Sequence, residues 1–460
     1  MSQRFHFLGI CGTAMGAVAS AMAKKGYVVT GSDANVYPPM STFLEQEGIK
    51  LFEGYYPNNI PNDAEIIVIG NAMSRGNEEV EAVLDRRLRY LSLPETMKEY
   101  FLRGKHNYVV TGTHGKTTTT SMLAWFMEDS GLNPSFMIGG IARNLERGGR
   151  FTDSDYSVLE GDEYDTAFFD KRSKFLHYLP ELVIINNIEF DHADIYNSLD
   201  EIKLSFKRLL QIVPRQGIAL INADDTHCLD VALNAPCPVK SIGMSDTADI
   251  QIQDIKRVPE GSTFTLEGST YFVPMVGDFN IRNAAMAITA ARFAGIKPHK
   301  LAESLQNFQG IARRQEVRGE VNNIKVIDDF AHHPTAIKQA VLAIKQRYPD
   351  SRVWAIFEPR SNTSRRNIFQ NELALSLATA DFPIVAAIDN PKKIDESNRL
   401  NLNKLKSDLE SLGKSAFIGG TANQIVEKVA QEALPGDVIL VMSNGGFDGI
   451  HNKLLEALTK

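Results

Sequence analysis

Cysteine and long apolar runs are both scarce in this chain. Its 460 residues include three cysteines, Cys11, Cys228 and Cys237, and no two of them form a C-x-x-C pair. An odd number of widely spaced cysteines excludes the disulfide framework of a small secreted protein. No stretch approaches the roughly 18 apolar residues that cross a bilayer, and the first residues lack the apolar core of a signal peptide. We therefore expect a cytoplasmic protein without a membrane partner.

Basic residues are not in excess. The chain has 49 lysines and arginines against 56 acidic residues, a formal net charge of −7. This balance disfavours a nucleic-acid-binding protein, which needs a basic face, but it is compatible with a small basic pocket for phosphates. With 43% hydrophobic and 23% charged residues, the composition also excludes wholesale disorder.

Short β-rich runs alternate with helical stretches along most of the chain. The main predicted strands are residues 5–8, 28–30, 66–69, 108–111, 157–159, 182–186, 218–221, 325–328, 353–357, 383–388 and 438–442. This alternation predicts an α/β protein built on mostly parallel, doubly wound sheets. Glycine-rich strand–loop–helix units start at Phe5 and Tyr108, and a third block starts near Arg313. Residues 250–276 instead predict a small antiparallel addition. We predict three domains, at residues 1–106, 107–312 and 313–460.

The strongest motif lies between an apolar strand and a helix, and reads Gly112-Thr113-His114-Gly115-Lys116-Thr117-Thr118. Its glycines let backbone N–H groups approach phosphate oxygens, and the helix N-terminus adds partial positive charge. Lys116 can reach the β- and γ-phosphates, and the Thr117 hydroxyl can bind Mg²⁺. Val110 stands where a phosphate loop usually has its first glycine, so an ordinary glycine turn is the alternative. The lysine and threonine in register favour nucleotide binding.

Acidic residues and a histidine follow the next two predicted strands. Glu160, Asp162 and Glu163 come after one strand, and Asp191 and His192 come after the other. The carboxyl ends of strands are where doubly wound sheets bind ligands. Carboxylates suit Mg²⁺, and a histidine can complete a second ion. An acidic loop alone is more often a solvated surface, but the phosphate loop upstream favours a metal site.

A first glycine loop follows the first strand. It contains Gly9, Gly12, Thr13, Met15 and Gly16, and Asp33 follows the next strand. The dinucleotide pattern G-x-G-x-x-G is not met, because Cys11 and Ala14 stand at glycine positions. The loop can still hold a pyrophosphate at a helix N-terminus. We therefore favour a nucleotide diphosphate, with an NAD(P)-dependent oxidoreductase as the alternative.

The third block has a polar cluster, Asp328-Asp329-Phe330-Ala331-His332-His333, at a strand end. Its histidines could lie on the surface or belong to a zinc site, but no cysteine lies near them in sequence. Arginines at block edges, Arg313-Arg314 and Arg360, indicate anion binding.

Taken together, these residues resemble the Mur ligases, the ATP-dependent enzymes that build the peptide of bacterial cell-wall precursors. The residues that show this resemblance are the phosphate loop, Glu160 with Asp162 and Glu163, Asn187 to His192, Gly277 to Asn283, and Asp329 to Pro334. The resemblance implies an N-terminal domain that binds a UDP-sugar, a central ATPase, and a Rossmann-like C-terminal domain that closes on ATP and binds the peptide. It implies the UDP-sugar ligands Gly9, Gly12, Thr13, Met15, Gly16 and Asp33.

The resemblance also implies roles at the ATP site. Lys116 and Thr117 would hold the triphosphate and a first Mg²⁺ together with Glu160, and His192 would serve a second Mg²⁺. Further contacts would come from residues later in the chain, with Asn280 at the adenine, Asp329 at the ribose, and Arg314 and His332 at the γ-phosphate. The catalytic set would then be Lys116, His192, Arg314 and His332.

Segments outside the ATP site resemble those of family members that accept UDP-N-acetylmuramate. Gly31–Met40, Phe168–Phe175, Glu358–Thr363 and Ser443–Phe447 match the member that attaches the recycled tripeptide L-alanyl-γ-D-glutamyl-meso-diaminopimelate. The expected reaction forms an amide through an acyl phosphate, in peptidoglycan recycling. The alternatives are the L-alanine-adding member of de novo synthesis and a non-catalytic UDP-sugar-binding protein. The oligomeric state stays open.

One more loop, Asp389-Asn390-Pro391-Lys392, resembles an Asp-Asn-Pro-Arg loop at the amino-acid site of the diaminopimelate-adding member. Lys392 replaces that arginine, so bidentate carboxylate pairing is unavailable there. Because Asp, Asn and Pro all favour turns, the loop is either an Asx turn or a peptide contact.

Overall fold

The structure is a computed structural model that describes residues 2–459. The chain divides into two compact units. The first comprises Met1–Glu189, Ser198–Gln251 and Met286–Ser304, and the second comprises Phe190–Asn197, Ile252–Ala285 and Leu305–Lys460. Within residues 2–459, every helix is too short or too polar to span a bilayer.

The first sheet is fully parallel, with strand order β3-β2-β1-β4-β5. Its strands are β1 (Arg4–Leu8), β2 (Val28–Asp33), β3 (Lys50–Glu53), β4 (Ile66–Ile69) and β5 (Tyr90–Ser92). Its helices are α1 (Thr13–Lys24), α2 (Met40–Gln46), α3 (Glu78–Asp85) and α4 (Leu93–Met97). The strand order reverses between β1 and β4, which places the loop after β1 at the topological switch point, where such sheets bind ligands.

The central sheet has strand order β15-β14-β13-β12-β6-β9-β7-β8, and all its pairs except β7–β8 are parallel. Its strands are β6 (His106–Thr111), β7 (Ser135–Met137), β8 (Gly149–Arg150), β9 (Tyr156–Glu160), β12 (Leu182–Ile185), β13 (Ile218–Asn222), β14 (Val239–Gly243) and β15 (Ile250–Val258). A separate hairpin is formed by β10 (Asp165–Ala167) and β11 (Asp170–Ser173).

Strand β15 continues into an antiparallel meander with β16 (Gly261–Leu266) and β17 (Ser269–Val273). The meander occupies the segment where the sequence predicted an antiparallel addition. The helices of this region are α5 (Lys116–Asp129), α6 (Leu199–Gln211), α7 (Thr226–Ala232), α8 (Asp278–Phe293) and α9 (Pro298–Gln306).

The third sheet has strand order β18-β19-β23-β20-β21-β22, parallel except for β18. Its strands are β18 (Glu316–Val321), β19 (Ile324–Asp329), β20 (Val353–Phe357), β21 (Phe382–Ala386), β22 (Phe417–Gly420) and β23 (Val438–Met442). Its helices are α10 (Pro334–Arg347), α11 (Gln370–Leu377), α12 (Leu402–Ser411), α13 (Ala422–Glu432) and α14 (Ile450–Ala457).

Strand β20 shows why the buried strands of this sheet have continuously apolar sequences. Val353, Ala355 and Phe357 pack into one buried cluster, and Trp354 and Ile356 pack into a second. Alternate side chains of a strand point to opposite faces, so a strand covered on both faces is apolar throughout. The predicted α/β class with mostly parallel sheets is confirmed.

Candidate active site

The phosphate loop lies at the carboxyl end of β6, between β9 and β12. Val110 pairs with Glu160 in β9, and Thr111 pairs with Ile185 in β12, so the polar residues that follow all three strands meet at one edge. A Cβ on Gly112, whose φ is 124°, would lie 3.0 Å from two backbone nitrogens. Only glycine fits this close approach. Val110 lies in the buried strand itself, before the turn that needs glycine.

Asn187 fixes the shape of this loop, a role that sequence analysis missed. Its side-chain oxygen accepts a hydrogen bond from the His114 N–H at 2.7 Å, and its amide nitrogen donates to the His114 carbonyl at 3.1 Å. The Thr113 N–H donates to the Asn187 carbonyl at 3.0 Å. These hydrogen bonds hold the loop from the neighbouring strand end.

Lys116 is held by a buried carboxylate. Its Nζ lies 2.9 and 3.0 Å from the two oxygens of Glu163 and donates to the Gly112 carbonyl at 2.7 Å. The lysine side chain is 13% exposed and that of Glu163 is 2% exposed. Burial acts to lower the pKa of Lys116, but the charges of Glu163 and Asp162 outweigh burial and raise it. The lysine is therefore a fixed cation at the first turn of α5.

Thr117 and Glu160 bring hard oxygen donors together. The Thr117 hydroxyl donates to one Glu160 oxygen at 3.0 Å, and the other oxygen accepts from the Gly139 N–H at 2.7 Å. The adjacent Asp162 pairs instead with Lys174 at 2.7 Å. A hydroxyl and a carboxylate beside a phosphate loop are donors that fit Mg²⁺.

The first glycine loop follows β1, as predicted. Asp33 accepts hydrogen bonds from the Cys11 N–H at 2.9 Å and the Asn35 N–H at 3.0 Å, one on each carboxylate oxygen. Cys11 does not adopt the positive φ that would require glycine. Met15 is buried, and a Cβ on Gly16 would lie 2.7 Å from the Met40 sulfur. Asp33 and Met15 therefore shape and support the loop.

A buried polar network that the sequence did not reveal lies beneath this loop. His6, Ser32 and Glu79 are fully buried, with the His6 Nε2 2.6 Å and the Ser32 hydroxyl 3.0 Å from the same Glu79 oxygen. The Ser32 carbonyl accepts the N–H groups of Gly9 and Ile10. The network therefore fixes the position of Ser32, whose carbonyl accepts these two hydrogen bonds from the loop.

In the second unit, Asp329 ends β19 and is buried. Its two oxygens accept backbone N–H groups, from Gln315 at 3.0 Å and from Ala331 at 2.8 Å. Burial raises the pKa of Asp329, although the nearby charge of Arg314 opposes that shift. The Arg314 guanidinium lies 4.6 Å from the centre of the Phe330 ring. The structure thus places Arg314 near Asp329, and their proposed roles at the γ-phosphate and the ribose stay predictions.

The adjacent histidines of this unit have different surroundings. His333 is the N-cap of α10, with its Nδ1 3.3 Å from the Thr335 N–H. The His332 Nε2 lies 3.7 Å from a carboxylate oxygen of Asp191. His192, the residue after Asp191, has a φ of 55°. The second unit therefore holds both His332 and His192 close to Asp191.

Asn280 and Asn390, two further residues predicted to contact substrates, form hydrogen bonds within their own segments. Asn280 is fully buried at the start of α8, where its amide donates to the Val276 carbonyl at 2.8 Å. Asn390 has a φ of 47°, and its amide donates to the Asp389 carboxylate at 2.8 Å, while Lys392 is exposed. Strand β21 ends at Ala386, so this loop begins after the strand. Its geometry is that of a turn, and both substrate contacts stay predictions.

Comparison with known proteins covers almost the whole chain. Residues 4–104 match the family described as Mur ligase family, catalytic domain, residues 110–291 match Mur ligase middle domain, and residues 313–445 match Mur ligase, glutamate ligase domain. All three parts of the chain therefore match Mur ligase descriptions.

Individual relatives match over more than nine tenths of their length. The chain is 42% identical to the UDP-N-acetylmuramate–L-alanyl-γ-D-glutamyl-meso-2,6-diaminoheptandioate ligase of Escherichia coli (strain K12), covering 99% of this chain and 98% of the relative. It is 32% identical to the UDP-N-acetylmuramate–L-alanine ligase of Endomicrobium trichonymphae, over 91% of this chain and 94% of the relative. The crystal structure of a murein peptide ligase from Psychrobacter arcticus 273-4 has 37% identity and a TM-score of 0.71, covering 100% of this chain and 99% of that one. The chain belongs to the Mur ligase family.

Proposed function

We propose that this protein is a ligase that joins UDP-N-acetylmuramate to L-alanyl-γ-D-glutamyl-meso-diaminopimelate in peptidoglycan recycling, with consumption of ATP. The reaction class rests on the phosphate loop with Lys116, Thr117 and Glu160 at one sheet edge. The choice of the tripeptide rests on the higher identity to the ligase named for it, 42% against 32% for the L-alanine ligase.

The mechanism follows from the weakness of a carboxylate as an electrophile. The lactyl carboxylate of UDP-N-acetylmuramate attacks the γ-phosphorus of ATP, so that ADP leaves and an acyl phosphate forms. The amine of the peptide's alanine then attacks the acyl carbon, loses a proton, and expels inorganic phosphate. Lys116 and the loop N–H groups position the triphosphate and neutralise its charge.

The proposed metal ligands divide between two ions. Thr117 and Glu160 would hold one Mg²⁺, and His192 would serve the second. Bound Mg²⁺ would neutralise charge on the phosphate oxygens. Asn280, Asp329, Arg314 and His332 are proposed for the adenine, the ribose and the γ-phosphate, as the family resemblance implies.

The N-terminal loop is proposed to bind the UDP-sugar. Gly9, Gly12, Thr13 and Gly16 bring backbone N–H groups and the α1 N-terminus to the pyrophosphate. Asp33 and Met15 act by shaping and supporting that loop. The domain limits 1–106, 107–312 and 313–460 are part of the same proposal.

An oxygen-transfer experiment tests the acyl-phosphate reaction. UDP-N-acetylmuramate labelled with ¹⁸O in its lactyl carboxylate is incubated with ATP, Mg²⁺ and the tripeptide. We expect one labelled oxygen in each phosphate released, because that oxygen bridges carbon and phosphorus in the acyl phosphate. Amide formation with unlabelled phosphate would contradict the mechanism, and a parallel reaction without tripeptide controls for ATP hydrolysis by water.

A further inference from the structure

Three arginines lie where the loops after β20 and β21 meet, and none of the three has a carboxylate within ion-pair distance in residues 2–459. Arg366 and Arg399 form an isolated antiparallel bridge, and the Leu400 N–H donates to the Arg365 carbonyl at 2.9 Å. The Asn367 side chain donates to the Ser397 carbonyl at 2.9 Å, which closes the same junction. We call Arg365, Arg366 and Arg399 the arginine cluster.

Within residues 2–459, the guanidinium groups of Arg365 and Arg399 donate hydrogen bonds to neutral oxygens. Arg365 donates to the Asn362 side chain at 2.7 Å and to the carbonyls of Asp389 and Ser361 at 3.3 and 3.4 Å. Arg399 donates to the Ile394 carbonyl at 3.0 Å. These bonds fix the positions of two cations without neutralising their charge.

The Arg366–Arg399 pair destabilises the fold unless an anion binds between the two charges. Residues directly opposite in an antiparallel pair have Cβ atoms about 4.5–5.5 Å apart, and like charges there are destabilising. The Nε of each arginine is also buried without a hydrogen-bond partner in the described residues. Buried donors are nearly always bonded in folded proteins, so two such donors on adjacent cations indicate a ligand with several acceptor oxygens.

We propose that Arg366 and Arg399 bind a carboxylate at the far end of the peptide substrate. The γ linkage of the tripeptide leaves the α-carboxylate of glutamate free, and diaminopimelate adds two more carboxylates. The cluster lies at the carboxyl edge of the third sheet, where doubly wound sheets bind ligands, and guanidinium groups match carboxylates in geometry. The proposal rests on the proposed function, and it assigns to arginines a contact that the Lys392 loop would make under one of the two interpretations of its sequence.

The test compares two peptides on four variants. Arg366→Gln and Arg399→Gln should each raise KM for the tripeptide about tenfold, the loss expected for one charge-assisted hydrogen bond. KM for L-alanyl-γ-D-glutamate, which lacks diaminopimelate, should change less than about twofold, as should KM for ATP. Arg347→Gln, at the end of α10, is the matched control. Arg366→Lys keeps the charge and should recover part of the loss.

Stability separates a binding role from a structural one. Each Gln variant removes a like-charged neighbour, so its melting temperature should equal or exceed that of the wild type. An unchanged tripeptide KM, or equal losses on both peptides, would overturn the inference. So would a phosphate-induced rise in melting temperature that the variants lose while keeping a normal KM, because the site would then take a free anion. A wild type that does not use the tripeptide would overturn the proposed function itself.

Discussion

Lys116→Ala should lower kcat by about 10² to 10³-fold, the usual effect of removing one group that stabilises transition-state charge. The lysine is the cation that the phosphate loop places at the first turn of α5. Without it, the charge that develops on the γ-phosphoryl oxygens loses its nearest protein partner. Steady-state kinetics with saturating UDP-N-acetylmuramate and tripeptide measure the effect.

The same substitution should also destabilise the protein, and a double variant separates the two effects. Lys116→Ala leaves the buried carboxylate of Glu163 without its lysine, and breaking such a pair costs about 3–5 kcal/mol. Lys116→Ala combined with Glu163→Gln removes the buried charge and should recover most of the free energy of unfolding but none of the activity. Lys300→Ala, which breaks the Asp129 pair at the other end of α5, is the control that should retain turnover. Near-normal kcat in the folded double variant would refute the assignment of the phosphate loop.

Glu160→Gln and His192→Ala should each raise the Mg²⁺ concentration needed for half-maximal activity at least about tenfold. Glutamine keeps the size of the Glu160 side chain but loses the negative charge that attracts a cation. His192→Ala removes a nitrogen ligand of the proposed second ion. Each substitution weakens the binding of one proposed ion, so excess Mg²⁺ should restore part of the activity in each variant.

The control for the metal titration is Glu181→Gln. Glu181 pairs with His106 at the amino end of β6, far along the strand from the phosphate loop, and both side chains are about half exposed. Its Mg²⁺ dependence should equal that of the wild type. If neither Glu160→Gln nor His192→Ala shifts the titration, both proposed ions must be bound elsewhere.

The sequence predicted the central strands of each sheet better than the edges. Ile66–Ile69, Val353–Phe357 and Val438–Met442 are predicted with the same limits as in the structure, because strands covered on both faces are apolar throughout. Lys50–Glu53 and Tyr90–Ser92, the two edges of the first sheet, were missed. Edge strands are short and partly exposed, so their sequences carry little of the apolar signal on which the prediction depends.

In the candidate active site, too, only part of the structure could be predicted from the sequence. Gly112, Lys116 and Thr117 could be found because their spacing is local and the loop chemistry determines it. The contacts of Glu79 with His6 and of Asn187 with His114 each join residues 73 positions apart. A single sequence carries no local pattern for such pairs, since only the folded sheet brings them together.

The choice of amine is the most direct test of the central claim. The wild-type protein is given UDP-N-acetylmuramate, ATP and Mg²⁺ with equal concentrations of L-alanine and L-alanyl-γ-D-glutamyl-meso-diaminopimelate, and the products are separated by mass. We expect the UDP-N-acetylmuramyl tripeptide to dominate from the earliest time points. Predominant formation of UDP-N-acetylmuramyl-L-alanine would contradict the account and would assign the protein to the L-alanine-adding branch of the family.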